Sequence, residues 1–123
     1  MTDEEKIREV IQTYFDGMYE SSAEKCYAAF HPSARVTGWF EGKFREFNIN
    51  EWADFCEKIQ PSPKASGMPP RIEIVSLEIQ GDIASAWIID DNVGITFRDI
   101  LSFINFDGNW SIYNKLWHAV GPA

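Results

Sequence analysis

The sequence predicts an α+β domain in which N-terminal helices pack on a strongly curved antiparallel sheet. In the N-terminal half, most apolar side chains recur with the period of a helix. From Arg71 onward the chain is rich in Ile, Val, Phe and Trp, and short turns containing Gly and Asp divide it into strands. An order in which helices come first and a meander of strands follows is typical of an α+β fold. A length of 123 residues is typical of one domain, so a single domain covering residues 1–123 is predicted.

The first helix is predicted from about Asp3 to Tyr19. Thr2 and Glu5 have the spacing of a capping box, which marks the start of a helix. The apolar residues that follow lie at i, i+3, i+4 and i+7, so they form one stripe: Ile7, Val10, Ile11, Tyr14, Phe15 and Met18.

Two shorter helices are predicted next. The second carries Cys26 and ends before Pro32, because the residue ahead of a proline avoids the helical region. The third begins at Asn50, whose side chain suits an N-cap, and ends before Pro61.

Strands are predicted where apolar and polar residues alternate or where β-branched and aromatic residues are dense. The acidic pair Asp90-Asp91 falls at a predicted hairpin tip and is interpreted as a solvated turn. The predicted strands are Ala34–Phe40, Lys43–Phe47, Arg71–Gln80, Ile83–Asp90, Ile95–Phe106 and Trp110–Val120.

Charge and hydropathy exclude several classes of partner. The chain has 11 basic and 19 acidic residues, a net charge of -8, and no basic tract, so binding to nucleic acid or to an anionic membrane surface is not expected. The longest apolar run, Ala86 to Ile89, is far too short to span a membrane, and the acidic N-terminus does not have the pattern of a secretory signal. Cys26 and Cys56 are interpreted as buried thiols in a reducing, cytoplasmic compartment.

The common catalytic motifs are missing from the chain. It has no Gly-rich phosphate loop, no HExxH, no GxSxG and no CxxC. His31 and His118 are the only two histidines, so neither a metal site nor a cofactor is expected.

Asp99 is the residue that most strongly indicates a site. Period-two alternation places it on the same apolar strand face as Phe97, Leu101 and Phe103. A carboxyl group buried there is stable only if it is hydrogen-bonded or protonated, and burial raises its pKa toward the range useful for proton transfer. The alternative is that Asp99 pairs with a nearby Tyr or His and only stabilises the core.

Several other residues are candidates for a site. Tyr14 lies on the apolar stripe of the first helix, where a buried hydroxyl needs a partner such as Asp99. His31 either caps backbone groups beside Pro32 or acts on a ligand. Asn114 lies on the same strand face as Ile112 and Leu116 by alternation, and it is expected to be a buried amide that orients a ligand. Three tryptophans in predicted strands face either a pocket, a dimer partner or the core: Trp39, Trp87 and Trp117.

Two segments carry a resemblance to a known fold family. They are Phe30-His31-Pro32-Ser33-Ala34-Arg35-Val36 and the terminal blocks Asp99-Ile100-Leu101-Ser102-Phe103 and Asp107-Gly108-Asn109-Trp110-Ser111-Ile112-Tyr113-Asn114-Lys115. With the order of helices and strands, they resemble the nuclear transport factor 2-like superfamily, and more closely its lumazine-binding branch. The resemblance implies a cone-shaped, cystatin-like α+β fold with one apolar pocket, usually in a homodimer packed through the convex sheet faces.

Within that superfamily, the ketosteroid isomerases allow a comparison by residue. Their oxyanion-hole tyrosine matches Tyr14, and their protonated aspartate matches Asp99, which by the resemblance is a neutral acid. Their general base falls at Gly38 or Trp39, neither of which can take a proton, so His31 or His118 would have to replace it.

Three functions remain open at this point. The first is binding of a small apolar or polycyclic molecule, with Tyr14, Asp99 and Asn114 as polar contacts and with Trp39, Phe97, Leu101, Trp117 and His118 around the ligand. The second is a cofactor-independent isomerase, cyclase or dehydratase in which Asp99 is the acid, Tyr14 stabilises an oxyanion and His31 or His118 is the base. The third is a dimeric interaction module whose pocket is filled.

Overall fold

Side-chain caps set the start of all three helices in the computed structural model, which describes residues 1–123. Helix α1 (Asp3–Tyr19) has the predicted capping box, and α2 (Ala23–Ala29) begins after Ser22. Helix α3 (Ile49–Glu57) begins two residues earlier than expected because Asn48, not Asn50, accepts the bond from the Glu51 N–H at 2.8 Å. None of these helices is long and apolar enough to cross a membrane.

Six strands form one sheet with the order β2-β1-β6-β5-β4-β3. Neighbouring strands are antiparallel except β1 and β6, which run parallel. The strands are β1 (Phe30–Phe40), β2 (Lys43–Asn48), β3 (Ile72–Gln80), β4 (Ile83–Asn92), β5 (Ile95–Phe106) and β6 (Asn109–Pro122). The predicted α+β class is therefore confirmed, although β1 begins at Phe30 rather than Ala34 and includes Pro32 in an irregular stretch of its pairing with β6.

The core lies between the helices and the concave face of the sheet. Helix α1 buries its predicted stripe against β4 and β6, including Ile7, Ile11 and Tyr14. Cys26 and Cys56 are free and buried, as predicted, in α2 and α3. A hydrogen bond with Cys26 and burial together raise the pKa of the Cys56 thiol well above its ordinary value, so this thiol stays protonated.

A bulge in β6 changes which of its side chains face the core. Ser102 pairs with Asn114 and Phe103 pairs with Ile112, so Tyr113 is an extra residue opposite β5. Because side chains alternate along a strand, the extra residue reverses the faces that follow it. Lys115 and Trp117 consequently face the concave side, whereas Asn114, Leu116 and His118 face the convex side and are exposed.

Candidate functional site

An apolar cavity opens between the helices and the concave face of the sheet. It contains about 580 Å³ of unoccupied space including its mouth, of which the centre of a water molecule can reach about 90 Å³. Most of its wall is apolar, and the polar residues are few, as in sites that bind small molecules. The lining residues are Met18, Phe40, Arg45, Phe47, Trp52, Phe55, Asp90, Asn92, Val93, Phe97, Lys115 and Trp117.

A cluster of aromatic rings forms one wall of the cavity. The Phe47 ring centre lies 5.9 Å from that of Trp52, 5.6 Å from that of Phe55 and 6.1 Å from that of Trp117. The Arg45 guanidinium lies 5.0 Å from the Phe47 ring centre, and Arg45 is exposed, which places a positive charge at the mouth.

Lys115 places an amine deep in this wall. It is only 4% exposed, and its Nζ lies 4.5 Å from the Trp52 ring centre and 4.8 Å from the Tyr14 ring centre. Its hydrogen-bond acceptor is the weak thioether sulfur of Met18, at 3.8 Å. None of the ion pairs of the protein includes Lys115.

Tyr14 joins two buried carboxyl groups beneath the cavity. Its Oη lies 2.8 Å from Asp90 Oδ2 and 3.1 Å from Asp99 Oδ2, within hydrogen-bond distance of both. A tyrosine hydroxyl has one proton, so it cannot donate to both carboxylates at once, and a second proton must lie on the carboxyl pair. Burial and the two neighbouring carboxyl groups raise the pKa of Tyr14 well above its ordinary value, so the hydroxyl stays neutral.

We place the second proton on Asp90. Burial, and then the negative charge of Asp99, raise the pKa of Asp90 well above its ordinary value, against a smaller lowering by the positive charge of Lys115. Asp90 is 1% exposed and lines the cavity, whereas Asp99 is completely buried behind it. The residues that line the cavity therefore include a neutral carboxylic acid, Asp90, and a buried lysine, Lys115.

Three buried polar atoms around the site have no hydrogen-bond partner. They are Asp90 Oδ1, Asp99 Oδ1 and Trp52 Nε1. Buried polar groups are normally satisfied, because an unpaired one costs about 1 to 3 kcal/mol. Asp90 and Trp52 line the cavity, so two of the three residues with an unpaired polar atom belong to the site.

Two of the residues predicted to bind ligand lie on the cavity wall, namely Phe97 and Trp117. Tyr14 and Asp99 are paired with each other as expected, but they lie behind Asp90 and do not line the cavity. Leu101 is completely buried in the core and does not line the cavity either.

Three other candidates lie outside the cavity and correct the predictions. Asn114 and His118 are exposed on the convex face because the bulge at Tyr113 reverses the alternation. Trp39 is exposed because it lies on the opposite face of β1 from Val36 and Gly38, and its ring packs edge-on against Phe44.

His31 is also distant from the acid pair. Its Nδ1 accepts a hydrogen bond from the Ser33 N–H at 3.0 Å, and its ring packs against Phe106 and Tyr113. This is the backbone-capping alternative considered above. Neither histidine therefore supplies a base to the cavity.

Sequence reasoning missed Asp90 and Lys115. Interpreting Asp90-Asp91 as a solvated turn was wrong for Asp90, because β4 continues to Asn92 and the turn is confined to Val93 and Gly94. The alternation Ala84, Ala86, Ile88, Asp90, Asn92, all buried, was a signal that could have located it. No such signal was available for Lys115, since the sheet face on which its side chain lies depends on the bulge at Tyr113.

The fold and the cavity together define a nuclear transport factor 2-like (NTF2-like) domain. The chain belongs to the putative lumazine-binding family, whose model matches residues 2–118. This confirms the resemblance given by the sequence. No group of three or more His, Cys, Asp or Glu side chains is arranged to hold a metal ion.

Solved structures of similar proteins have the same fold. An NTF2-like protein from Silicibacter pomeroyi is 24% identical, with a TM-score of 0.86 and coverage of 97% of this chain and 99% of the other. An NTF2-like protein from Shewanella baltica is 25% identical, with a TM-score of 0.82 and coverage of 97% and 94%. A relative named aldolase FrzH, from Cladobotryum sp., is 22% identical over 106 residues, which cover 86% of this chain and 82% of that protein.

Proposed function

We propose that this protein is a small-molecule-binding domain whose cavity holds a flat apolar or polycyclic ligand. The observation that carries the proposal is the aromatic cavity, whose lining includes two residues with a buried, unpaired polar atom, Asp90 and Trp52. Apolar walls with a few fixed polar groups are typical of sites that bind a ligand with defined orientation. The alternative of an interaction module without ligand requires an interior filled by side chains, and the open cavity favours binding.

The polar contacts differ from those expected from the sequence. Asp90, Asn92 and Lys115 line the cavity and contact the ligand, while Tyr14 and Asp99 hold Asp90 in place from behind. Neither Lys115 nor Arg45 takes part in an ion pair, so the site favours a ligand with an anionic or carbonyl oxygen.

Anilinonaphthalene sulfonate, which combines flat rings with one anionic group, tests this proposal. Titration is followed by the tryptophan emission of the protein, to which Trp52 and Trp117 on the cavity wall contribute. We expect saturable quenching that weakens about tenfold in Lys115→Met, the loss expected when one hydrogen bond to a charged group is removed. Lys43→Met is the matched control, because Lys43 is exposed on β2. Equal affinity of both variants would show that the dye binds elsewhere.

We propose a second candidate function, catalysis at a carbon next to a carbonyl group, for which the neutral acid Asp90 is suited. The relative named an aldolase supports this class over binding alone. The test is exchange of the α-protons of cyclohexanone in deuterium oxide, followed by NMR. Acceleration that is lost in Asp90→Asn would support catalysis, whereas exchange at the buffer rate would exclude it for this ketone.

We propose that the protein acts as a homodimer joined through the convex face of the sheet. Trp87 pairs with Ile100 and Ile100 pairs with Leu116, so these side chains form one row across β4, β5 and β6. Trp87 and Leu116 are 47% and 51% exposed, and contiguous exposed apolar surface of this kind marks an interface.

The free thiols of Cys26 and Cys56 support a cytoplasmic location for the protein.

A further inference from the structure

Lys115 is unusual among the charged groups of this protein because it is buried without an ionised partner in contact. Its amine is in contact with the ring faces of Tyr14 and Trp52 and with the Met18 sulfur. Lys25 and Lys58, by contrast, each contact a carboxylate at 2.8 Å, which holds the amine as an ammonium ion. A buried amine without such a partner at a cavity wall is the arrangement in which lysine serves as a nucleophile.

A proton donor lies on the same wall. Asp90 lines the cavity together with Lys115, and its Oδ1 has no hydrogen-bond partner. Burial and the charge of Asp99 raise the pKa of Asp90, so it holds a proton that it can donate. Amine and acid are the two groups that imine formation requires.

We infer that Lys115 is a nucleophilic amine that forms an imine with an aldehyde or ketone carried by a flat apolar ligand. This inference rests on the proposed binding function, because the same cavity must admit the ligand.

The covalent step balances with groups on the cavity wall. Lys115 first releases a proton to solvent. The lone pair of Nζ then adds to the carbonyl carbon, and one of the remaining N–H protons passes to the carbonyl oxygen to give a carbinolamine. Asp90 then donates its proton to the hydroxyl group, which leaves as water as the carbon–oxygen bond breaks. The product is a protonated imine beside the Asp90 carboxylate, so the positive and negative charges form together and compensate each other.

The experiment uses benzaldehyde as the probe and benzyl alcohol as its counterpart without a carbonyl. Binding of each to the intact protein is measured by tryptophan quenching. The protein is then treated with benzaldehyde and sodium borohydride, which reduces an imine to a stable secondary amine, and the modified lysine is located by peptide mass mapping. We expect the benzyl group on Lys115 and its loss from that position in Lys115→Arg, which keeps the charge.

Lys43→Arg is the matched control and is expected to keep the adduct on Lys115, because Lys43 is exposed. Both probes binding without an adduct on Lys115 would overturn the covalent role and leave the binding function standing. Failure of both probes to bind would overturn the proposed binding function for this ligand class and the covalent role with it. Labelling that is spread equally over the exposed lysines would also overturn the inference, and this result does not depend on whether any variant folds.

Discussion

The indole of Trp117 fills the space in front of Gly38. A Cβ atom added at Gly38 would lie 2.4 Å from two carbons of the Trp117 ring, closer than real contacts allow. The ring is fixed in this position because its Nε1 donates a hydrogen bond to the Trp39 carbonyl oxygen at 3.1 Å. The ketosteroid isomerase resemblance places a general base at Gly38 or Trp39, and here an indole that lines the cavity takes that space.

Gly38→Ala should therefore destabilise the protein and move the cavity wall. We expect the free energy of unfolding to fall by about 1 to 3 kcal/mol, the usual cost of inserting a methyl group into a packed site. Urea unfolding measures the loss, and a shift of tryptophan emission reports the displaced ring. Gly121→Ala is the control, since a Cβ there meets nothing within 4 Å. Equal stability of the two variants would contradict the close packing of Trp117 on Gly38.

Tyr14→Phe tests the hydroxyl that bridges the two carboxyl groups. The change removes the partner of Asp90 Oδ2 and of Asp99 Oδ2 and leaves both oxygens buried. We expect a loss of about 1 to 3 kcal/mol in the free energy of unfolding, the cost of leaving a buried polar group unpaired. Tyr27→Phe, which removes an exposed hydroxyl bonded to Asn50, should cost much less. A comparable loss in both variants would show that the buried network adds nothing.

The proton on Asp90 should make the stability of the protein depend on pH. The pKa of Asp90 is raised in the folded state, so the folded protein holds a proton that the unfolded chain releases near pH 4, at about the ordinary value for Asp. Its contribution is fully present below that pH and is lost as the pH rises through the folded value. In Asp90→Asn the decline in the free energy of unfolding as the pH rises above about 4 should be smaller.

Urea unfolding at a series of pH values measures that difference. Asp82→Asn is the control, because Asp82 is exposed at a turn and should leave the pH dependence unchanged. If the wild-type protein and Asp90→Asn lost stability in parallel as the pH rises, Asp90 would not hold the proton.

Local signals were sufficient for most of the fold. Thr2 and Glu5 identify the start of α1, and alternation along β5 places Asp99 on the buried face. These predictions succeed because capping and alternation depend only on neighbouring residues. The third helix was misplaced by two residues because Asn48 and Asn50 are both suitable caps, and only the hydrogen bonds distinguish them.

The site itself was only half predictable. Asp99 and Tyr14 were found because each is a polar residue on an apolar stripe. Lys115 could not be found in the same way, because the extra residue at Tyr113 is defined by pairing with a different strand. A bulge is defined by how two strands pair, so it cannot be detected from the residue pattern of β6 alone. That pattern therefore predicted that Asn114 faces the cavity side of the sheet, where the structure has Lys115 instead.

The row of apolar side chains on the convex face leads to a prediction about assembly. Trp87 is the largest side chain of the row formed with Ile100 and Leu116, and tryptophan is enriched among the residues that contribute most to the energy of an interface. Trp87→Glu also places a negative charge in that face, on a protein whose net charge is already -8. We expect the dimer dissociation constant to rise by roughly 30-fold or more, which corresponds to a loss of about 2 kcal/mol.

Sedimentation velocity over a range of protein concentrations measures this change. Tyr27→Glu is the matched control, because Tyr27 is 49% exposed, like Trp87, but lies on α2 and not on the sheet. The control should remain a dimer at concentrations where Trp87→Glu is a monomer. Trp87 packs on the outer face of β4, away from the cavity, so the monomeric variant should still bind anilinonaphthalene sulfonate. Loss of the dimer in both variants, or in neither, would place the interface somewhere other than the convex face.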